Sequence, residues 1–161
     1  MNKAGIPVSS FASHNDATPL FTPGTVVRDK ATNKVYKYIL VEDAALAVGD
    51  VVEYSDTSGY EVTKDRAGGA SLGRVVAGVA LGTITDAYYG WIQVAGLNTY
   101  TKTDGSVAVG EGIVPHATSD GVGDSVASGS TVVNTEAQVF GYALVADTTS
   151  ACSAVMLRCA Y

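Results

Sequence analysis

Apolar and polar residues alternate over much of the chain with the period of β-strands. In KVYKYILV at 34–41, both sets of alternate residues contain β-formers, which predicts a strand with two semi-apolar faces. VGDVVEY at 48–54 and SGYEVTK at 58–64 flank a short polar turn and predict a hairpin. Helical periodicity is nearly absent. EDAAL at 42–46 is the stretch that could form a helical turn, and a loop is an equal alternative.

Two short motifs occur twice, in the same order and at nearly the same spacing. AVGD at 47–50 returns as AVGE at 108–111, and GVAL at 78–81 returns as GYAL at 141–144. The numbering offset is 61 for the first motif and 63 for the second, and we call these the first and second repeat offsets. A repeat whose offset drifts by so little indicates one β unit copied, with an insertion tolerated in a loop. The strands predicted from the same patterning lie at 75–85, 88–94, 112–116, 130–133, 137–147 and 153–161.

The predicted fold class is therefore all-β: a compact β-barrel or a two-sheet β-sandwich built from an internal duplication. We expect one β domain over 25–161, with pseudo-repeats at about 46–96 and 107–161. Gly78 and Gly141 lie inside predicted strands at equivalent places, where glycine usually marks a bulge, a bend or a close backbone approach. Both folds use such bends, so the patterning does not choose between barrel and sandwich.

Residues 1–24 differ from the rest of the chain. Three of the four prolines separate isolated hydrophobic residues here, and neither helical nor strand periodicity is present. The pattern predicts an extended N-terminal arm held by its own domain or by a neighbouring chain. The hydrophobic residues of this arm, which are candidates for a protein interface, are Ile6, Val8, Phe11, Leu20 and Phe21.

Composition favours contact with other proteins over contact with nucleic acid or lipid. Apolar residues make up 47% of the chain and charged residues 16%, so much of the surface is uncharged and is easily desolvated by a partner. The net charge is −6 and Lys and Arg do not cluster, which argues against direct nucleic-acid binding. The apolar stretches, such as that at 75–82, are too short to cross a bilayer, and the N-terminus has no signal-peptide core. We therefore expect synthesis in the cytoplasm and no membrane contact.

Residues that could carry catalysis or bind a metal are few. His14 and His116 are the histidines, and each reads as a turn or strand-end residue more readily than as a catalytic base. DGVGD at 120–124 resembles a calcium loop superficially but offers too few oxygen ligands, so an Asp-Gly turn is expected. Cys152 and Cys159 are separated by an odd number of positions, on opposite faces of a predicted strand, and cannot pair if that strand is regular. We expect no catalytic, cofactor or metal site, and no enzyme.

An aromatic group at Tyr88, Tyr89 and Trp91 completes the candidate interface residues. Alternation places Tyr89 and Trp91 on the face opposite Ile92 and Val94. If the aliphatic pair lies in the core, the aromatic pair is displayed for a protein or glycan; the alternative is that these rings pack at the edge of the core. The sequence leaves both possibilities open.

The succession of VGDVV, G(V/Y)AL and YGWIQVAG resembles the small capsid decoration, or cement, proteins of tailed bacteriophages, over the chain from about Thr25 to its end. The resemblance implies a non-catalytic β protein on the outer surface of the phage head. Such a protein commonly forms a homotrimer and clips neighbouring major capsid proteins together. An N-terminal arm would suit a clip, although no arm residue can be matched to the family.

Other functions remain as alternatives. A carbohydrate-binding or host-adhesion module on a virion would also be an aromatic-bearing β domain, and it predicts a concave Trp or Tyr site. A secreted or surface-layer structural protein would share the composition but should carry an export signal. An enzyme is the weakest alternative, because the chain lacks a recognisable catalytic constellation.

Overall fold

The computed structural model describes residues 8–65, 75–126, 139–149 and 152–159. These ranges form an almost entirely β-stranded fold, with one short 3₁₀-helix at Val8–Ser13, which confirms the predicted fold class. They contain no helix that could span a bilayer. The strands are β1 (Val26–Asp29), β2 (Lys34–Val41), β3 (Val51–Tyr54), β4 (Glu61–Thr63), β5 (Val76–Ala80), β6 (Tyr89–Lys102), β7 (Gly112–Pro115), β8 (Gly123–Ser125), β9 (Gly141–Ala143) and β10 (Cys152–Arg158).

Five strands close into a small barrel that we call the first unit. Its strand order is β2, β4, β3, β5 and the first half of β6, and β6 pairs back onto β2. The β2–β4 pair is parallel, whereas the other pairs around the ring are antiparallel. Alternation along β2 directs Val35, Ile39 and Val41 into the buried core. The pairing from β6 back to β2 makes this unit a barrel.

The second half of β6 begins a second ring, which we call the second unit. Its order is β6, β10, β9, β7 and β8, and a parallel bridge from Thr103 to Gly123 returns from β8 to the end of β6. Strand β6 thus belongs to both units. In the second unit, its second half occupies the position that β2 occupies in the first unit. Its course changes at Gly96, where φ is +90° and an added Cβ would lie 3.0 Å from the Asn33 carbonyl oxygen.

The hydrogen bonds repeat with the offsets seen in the sequence. The bridge between Leu46 and Ile84 recurs between Val107 and Asp147. The first repeat offset relates Leu46 to Val107, and the second relates Ile84 to Asp147. In the AVGD turn the Ala47 N–H donates to the carboxylate three residues later, and the Ala108 N–H in AVGE does the same, each over 2.8 Å. The glycine of each turn has a positive φ, 85° in the first and 87° in the second. The repeated motifs therefore build the same turn in both units.

The repeated strand glycines meet the same obstacle in both units. A Cβ added at Gly78 would lie 2.6 Å from the Gln93 carbonyl oxygen, and one added at Gly141 would lie 2.8 Å from that of Met156. Gln93 and Met156 are themselves related by the second repeat offset. Close approach of a neighbouring strand, and not a positive φ, accounts for these two glycines.

The two units share one interior. A single hydrophobic cluster includes Ile39 and Val52 of the first unit and Ile113 and Leu157 of the second. Asp50, which is 2% exposed, accepts from Lys64 over 3.0 Å and also from Lys102 on the shared strand. The pairing of a buried carboxylate with two ammonium groups offsets its desolvation.

Of the two alternatives that the sequence left open for residues 42–46, the structure adopts the loop. Two other details differ from the sequence predictions. The predicted strand at 137–147 is reduced to β9, and the one at 130–133 lies outside the described residues. The first described residues of the arm form a 3₁₀-helix instead of extended chain, because local hydrogen bonds such as that from the Ser13 hydroxyl to the Ser10 carbonyl close a turn.

Candidate protein-binding surface

One outward face of the first unit is covered by the N-terminal segment, residues 8–24. Alternate residues of β2 and β6 place Tyr36, Tyr38 and Trp91 on this face. Phe11 stacks on Trp91 with ring centroids 4.4 Å apart, and Phe21 meets the edge of Tyr38 at 5.2 Å. This second hydrophobic cluster, which we call the covered cluster, lies outside the barrel and is completed by the chain's own N-terminal segment.

Polar contacts fix the same segment in register. The Asp16 and Tyr89 backbones exchange two hydrogen bonds of 2.9 Å. The Tyr38 hydroxyl donates to the Asp16 carboxylate over 2.7 Å and accepts from the Leu20 N–H over 3.2 Å. His14 Nδ1 lies 3.0 Å from the same carboxylate. Burial, reinforced by the bond to Asp16, raises the pKa of Tyr38, so its hydroxyl remains a donor at ordinary pH.

The segment also requires a glycine beneath it. A Cβ added at Gly82 would lie 2.0 Å from the Ala12 carbonyl oxygen. Any side chain at this position would therefore push the backbone of the 3₁₀-helix away from the first unit.

The corresponding face of the second unit is exposed. Leu97 on β6, Met156 on β10 and Tyr142 on β9 are cross-strand neighbours in one row. Alternation adds Ala154 and Leu144, whose backbones are joined by a 2.7 Å hydrogen bond. The four large side chains of this group are each 37–45% exposed. We call these five residues the second-unit face.

The repeat offsets relate three residues of this face to the covered cluster beneath the N-terminal segment. They relate Tyr142 to Val79, which belongs to the interior cluster. Leu97 is related to Tyr36 by the first repeat offset, and the pair Leu97–Met156 matches the pair Tyr36–Gln93 of the first unit. The second repeat offset relates Ala154 to Trp91, and it relates Leu144 to Leu81, which also packs in the covered cluster. The duplication has thus produced two related apolar faces, and within the described part of the chain the second is exposed.

Arg158 places a positive charge at one margin of the second-unit face. Arg158 follows Met156 on the same side of β10, is exposed, and pairs across the sheet with Ala95. None of the five residues of the face is acidic, although the chain as a whole carries a net charge of −6. The face is therefore apolar with a cationic margin.

The structure places four of the predicted interface residues, wholly or partly buried, in the covered cluster. Phe11 is 1% exposed and Trp91 is fully buried, because the two rings stack where the N-terminal segment packs onto the first unit. Of the alternatives that the sequence left open for the arm, residues 8–24 adopt the one in which it is held by its own domain. Phe21 and Tyr89 are partly buried in the same cluster. For Trp91 the core alternative left open by the sequence is the one the structure adopts.

The remaining candidates are dispersed. Tyr88 is partly buried against the barrel interior, and Leu20 is 62% exposed beside the covered cluster. Val8 begins the 3₁₀-helix, and its side chain is not described; Ile6 lies outside the described residues. These residues do not form one exposed surface in the described part of the chain.

Sequence reasoning missed the second-unit face, although part of the signal was present. Alternation along β10 separates Met156 and Arg158 from the core residues Val155 and Leu157, as the structure confirms. The missing information was which strands lie beside β10. Only the pairings with β6 and β9 bring Leu97 and Tyr142 next to Met156.

The histidines have structural contacts. His116 Nδ1 accepts from the N–H groups of Thr118 and Ser119 over 3.1 and 2.9 Å, so its ring caps the turn that follows β7. His14 helps to hold the N-terminal segment, as described above. Neither contact constitutes a catalytic arrangement.

One group among the described residues has ligand-type atoms close enough for a metal. Atoms of Asp104, His116 and Asp124 lie within 4.8 Å of one another. Burial and the nearby Asp104 carboxylate raise the pKa of Asp124. Asp104 and Asp124 also accept from the N–H groups of Ser106 and Ser125, which orients both carboxylates locally.

The cysteines are unpaired and lie on opposite sides of the C-terminal strand and its continuation, as predicted. Cys152 is exposed and Cys159 is buried. Burial raises the pKa of Cys159 to about 12, which keeps it a neutral core residue.

Comparison with known proteins finds similarity at the level of structure. No protein-family model matches the chain, and no curated protein matches it. Among solved structures, the chain is similar to the N base of the head fiber gp8.5 in bacteriophage phi29, at 15% identity and a TM-score of 0.48. The match covers 80% of this chain and 98% of that one. With identity and TM-score this low, we draw nothing about function from it.

Proposed function

We propose that this protein is a non-enzymatic structural protein of a phage virion that decorates the outer surface of the head and joins neighbouring major capsid proteins. The observation that carries the proposal is the second-unit face, an exposed apolar surface on a duplicated β fold. The largest contiguous apolar patch exposed on a soluble protein is often a site of interaction with a partner. The sequence resemblance to capsid decoration proteins supplies the identity of the partner.

The physical basis of such a role is linkage. A protein that binds only the assembled shell stabilises the shell by the free energy of that binding. Few charged residues have to be desolvated when this protein is covered, because they make up only 16% of the chain. Assembly as a homotrimer would present three second-unit faces to the shell and increase the avidity of binding.

The structure changes how the proposed clip would work. Residues 8–24 are packed on the first unit of their own chain, which counts against this segment as the clip. The second-unit face takes over that role in the proposal.

The carbohydrate-binding alternative loses its main residue. Sugar stacking requires an accessible aromatic ring. Trp91 is fully buried and stacked against Phe11, so it cannot offer that surface without displacement of the N-terminal segment.

A binding experiment on heads tests the proposal. Met156→Lys places a charge in the middle of the second-unit face and should reduce binding to heads lacking this protein by at least about tenfold, or ~1.4 kcal/mol. Cosedimentation of the full chain with purified heads of the encoding phage measures the binding. Val26→Lys is the matched control, because Val26 is 44% exposed on β1 and lies outside the face.

Two results would contradict the proposal. Failure of the wild-type chain to sediment with heads would remove the decoration role. Binding of both variants at the wild-type level would show that the second-unit face is not the surface used. Circular dichroism of both variants confirms that they are folded.

A further inference from the structure

We propose that the second-unit face binds a short segment of a different protein, which lays aliphatic or aromatic side chains across Leu97 and Met156 and places a carboxylate beside Arg158. The biological role of this docking rests on the proposed function. The mode of docking rests on the comparison of the two units.

The first unit shows what kind of occupant such a face accepts. Its covered face is closed by a single segment, residues 8–24, and not by a folded domain. That segment contributes two aromatic rings, Phe11 and Phe21, and one carboxylate, Asp16, which meets a polar group of the face. By analogy, an occupant of the related face needs apolar side chains at intervals. The repeat does not reproduce the contact of Asp16, because Thr99 replaces Tyr38 in the second unit.

The available area also favours a segment. The four large side chains of the second-unit face are each only 37–45% exposed. Even the largest apolar patch on a typical monomer covers only about 300–600 Å². A standard interface between folded proteins buries about 800 Å² on each partner. The face is therefore large enough for a short segment and too small, by itself, to hold a second globular surface.

The N-terminal segment of another copy does not fit the second unit in the way it fits the first. The second repeat offset places Val145 at the position equivalent to Gly82, and its Cβ would occupy the space that the Ala12 carbonyl uses on the first unit. Ala154 replaces Trp91, which removes the ring on which Phe11 stacks. These two differences direct the face toward a foreign segment.

The positive charge of Arg158 predicts a negative charge on the occupant. Arg158 is the charged residue that continues the outward row of β10. A carboxylate on the partner would pair with it at the partly desolvated margin of the face, whereas a lysine or arginine there would be repelled. A second copy of this chain, with its net charge of −6, would approach against overall like-charge repulsion.

Selection from a phage-displayed library of random short peptides on the immobilised full chain tests the inference. We expect enriched peptides to combine aliphatic or aromatic residues with Asp or Glu. Their binding should fall at least tenfold with Met156→Lys and Tyr142→Ser, and should persist with Val26→Lys. With Arg158→Glu, the preference for acidic peptides should be lost or reversed. Circular dichroism and thermal unfolding establish that each variant is folded.

Specific outcomes would overturn the inference. They are a lack of enrichment over the Met156→Lys variant, enriched peptides that bind all face variants equally, or an oligomer of the wild type that these variants dissociate, which would make a second copy the occupant. Peptide binding without binding to heads would leave the docking mode standing and overturn the proposed function. Binding to heads that depends on the second-unit face, without peptide enrichment, would support the proposed function and overturn the docking mode.

Discussion

At the scale of single residues, the Tyr38 hydroxyl joins the N-terminal segment to the first unit. It donates to Asp16 and accepts from the Leu20 N–H, while its ring contacts Phe21 and Trp91. The side chain is fully buried, so a hydroxyl without these partners would be costly. Tyr38 therefore links the aromatic packing of the segment to its backbone register.

Tyr38→Phe should lower the free energy of unfolding by about 1–3 kcal/mol, because the Asp16 carboxylate and the Leu20 N–H both lose a partner. Urea denaturation at neutral pH measures the change. Tyr142→Phe is the control, since Tyr142 is 41% exposed and its hydroxyl can exchange one water contact for another. Equal stability of wild type and Tyr38→Phe would show that the hydroxyl does not fix the segment.

At the scale of secondary-structure elements, the two units differ less in their strands than in what covers them. The strand pairings of the second unit repeat those of the first, including the parallel contact at one edge of each ring. The strand glycines Gly78 and Gly141 are equivalent because the same neighbouring carbonyl approaches both. This equivalence makes a paired prediction possible.

Gly78→Ala and Gly141→Ala should each destabilise the protein by about 1–3 kcal/mol, because the new Cβ meets backbone that cannot move without disturbing a strand pair. Thermal or urea unfolding of each variant measures the loss. Gly112→Ala is a milder control: its nearest atoms are side-chain methyls of Val139 at 3.3 Å, which can shift. A harmless Gly141→Ala beside a damaging Gly78→Ala would argue against equivalent packing of the units.

At the scale of the whole molecule, the N-terminal segment behaves as part of the folded body. It completes the outward cluster of the first unit and contributes backbone hydrogen bonds to Tyr89. Without it, the aromatic residues Tyr36 and Trp91 would face solvent.

Deletion of residues 1–24 should therefore destabilise the protein substantially and create binding of a hydrophobic dye, since truncation of even one buried Phe to Ala typically costs about 3–5 kcal/mol. Chemical denaturation and dye fluorescence measure the effect. If the truncated chain fails to fold, Phe11→Ala supplies the graded test, with an expected loss in that same range. A truncated chain as stable as the full one would mean that the segment is an independent arm.

Much of the fold was predictable because local patterning and internal repetition reflect local constraints. Alternation identified β2, β3 and β10, the two motif offsets located an equivalent turn and an equivalent strand in each unit, and the odd spacing of Cys152 and Cys159 separated their faces. The interface was less predictable. Phe11 and Trp91 are residue types that are common in binding surfaces. No local feature of the sequence shows that their rings stack on each other.

The sequence by itself determined the β character of this chain, its duplication and the sides of its strands, because these depend on residue type and period. Tertiary structure decided which strands are neighbours, and hence that each unit forms a ring and that β6 belongs to both. It also decided which of the two related faces is open, because covering one of them requires contacts between residues far apart in the chain, such as Phe11 and Trp91. Such long-range contacts depend on the global path of the chain, which no local pattern records.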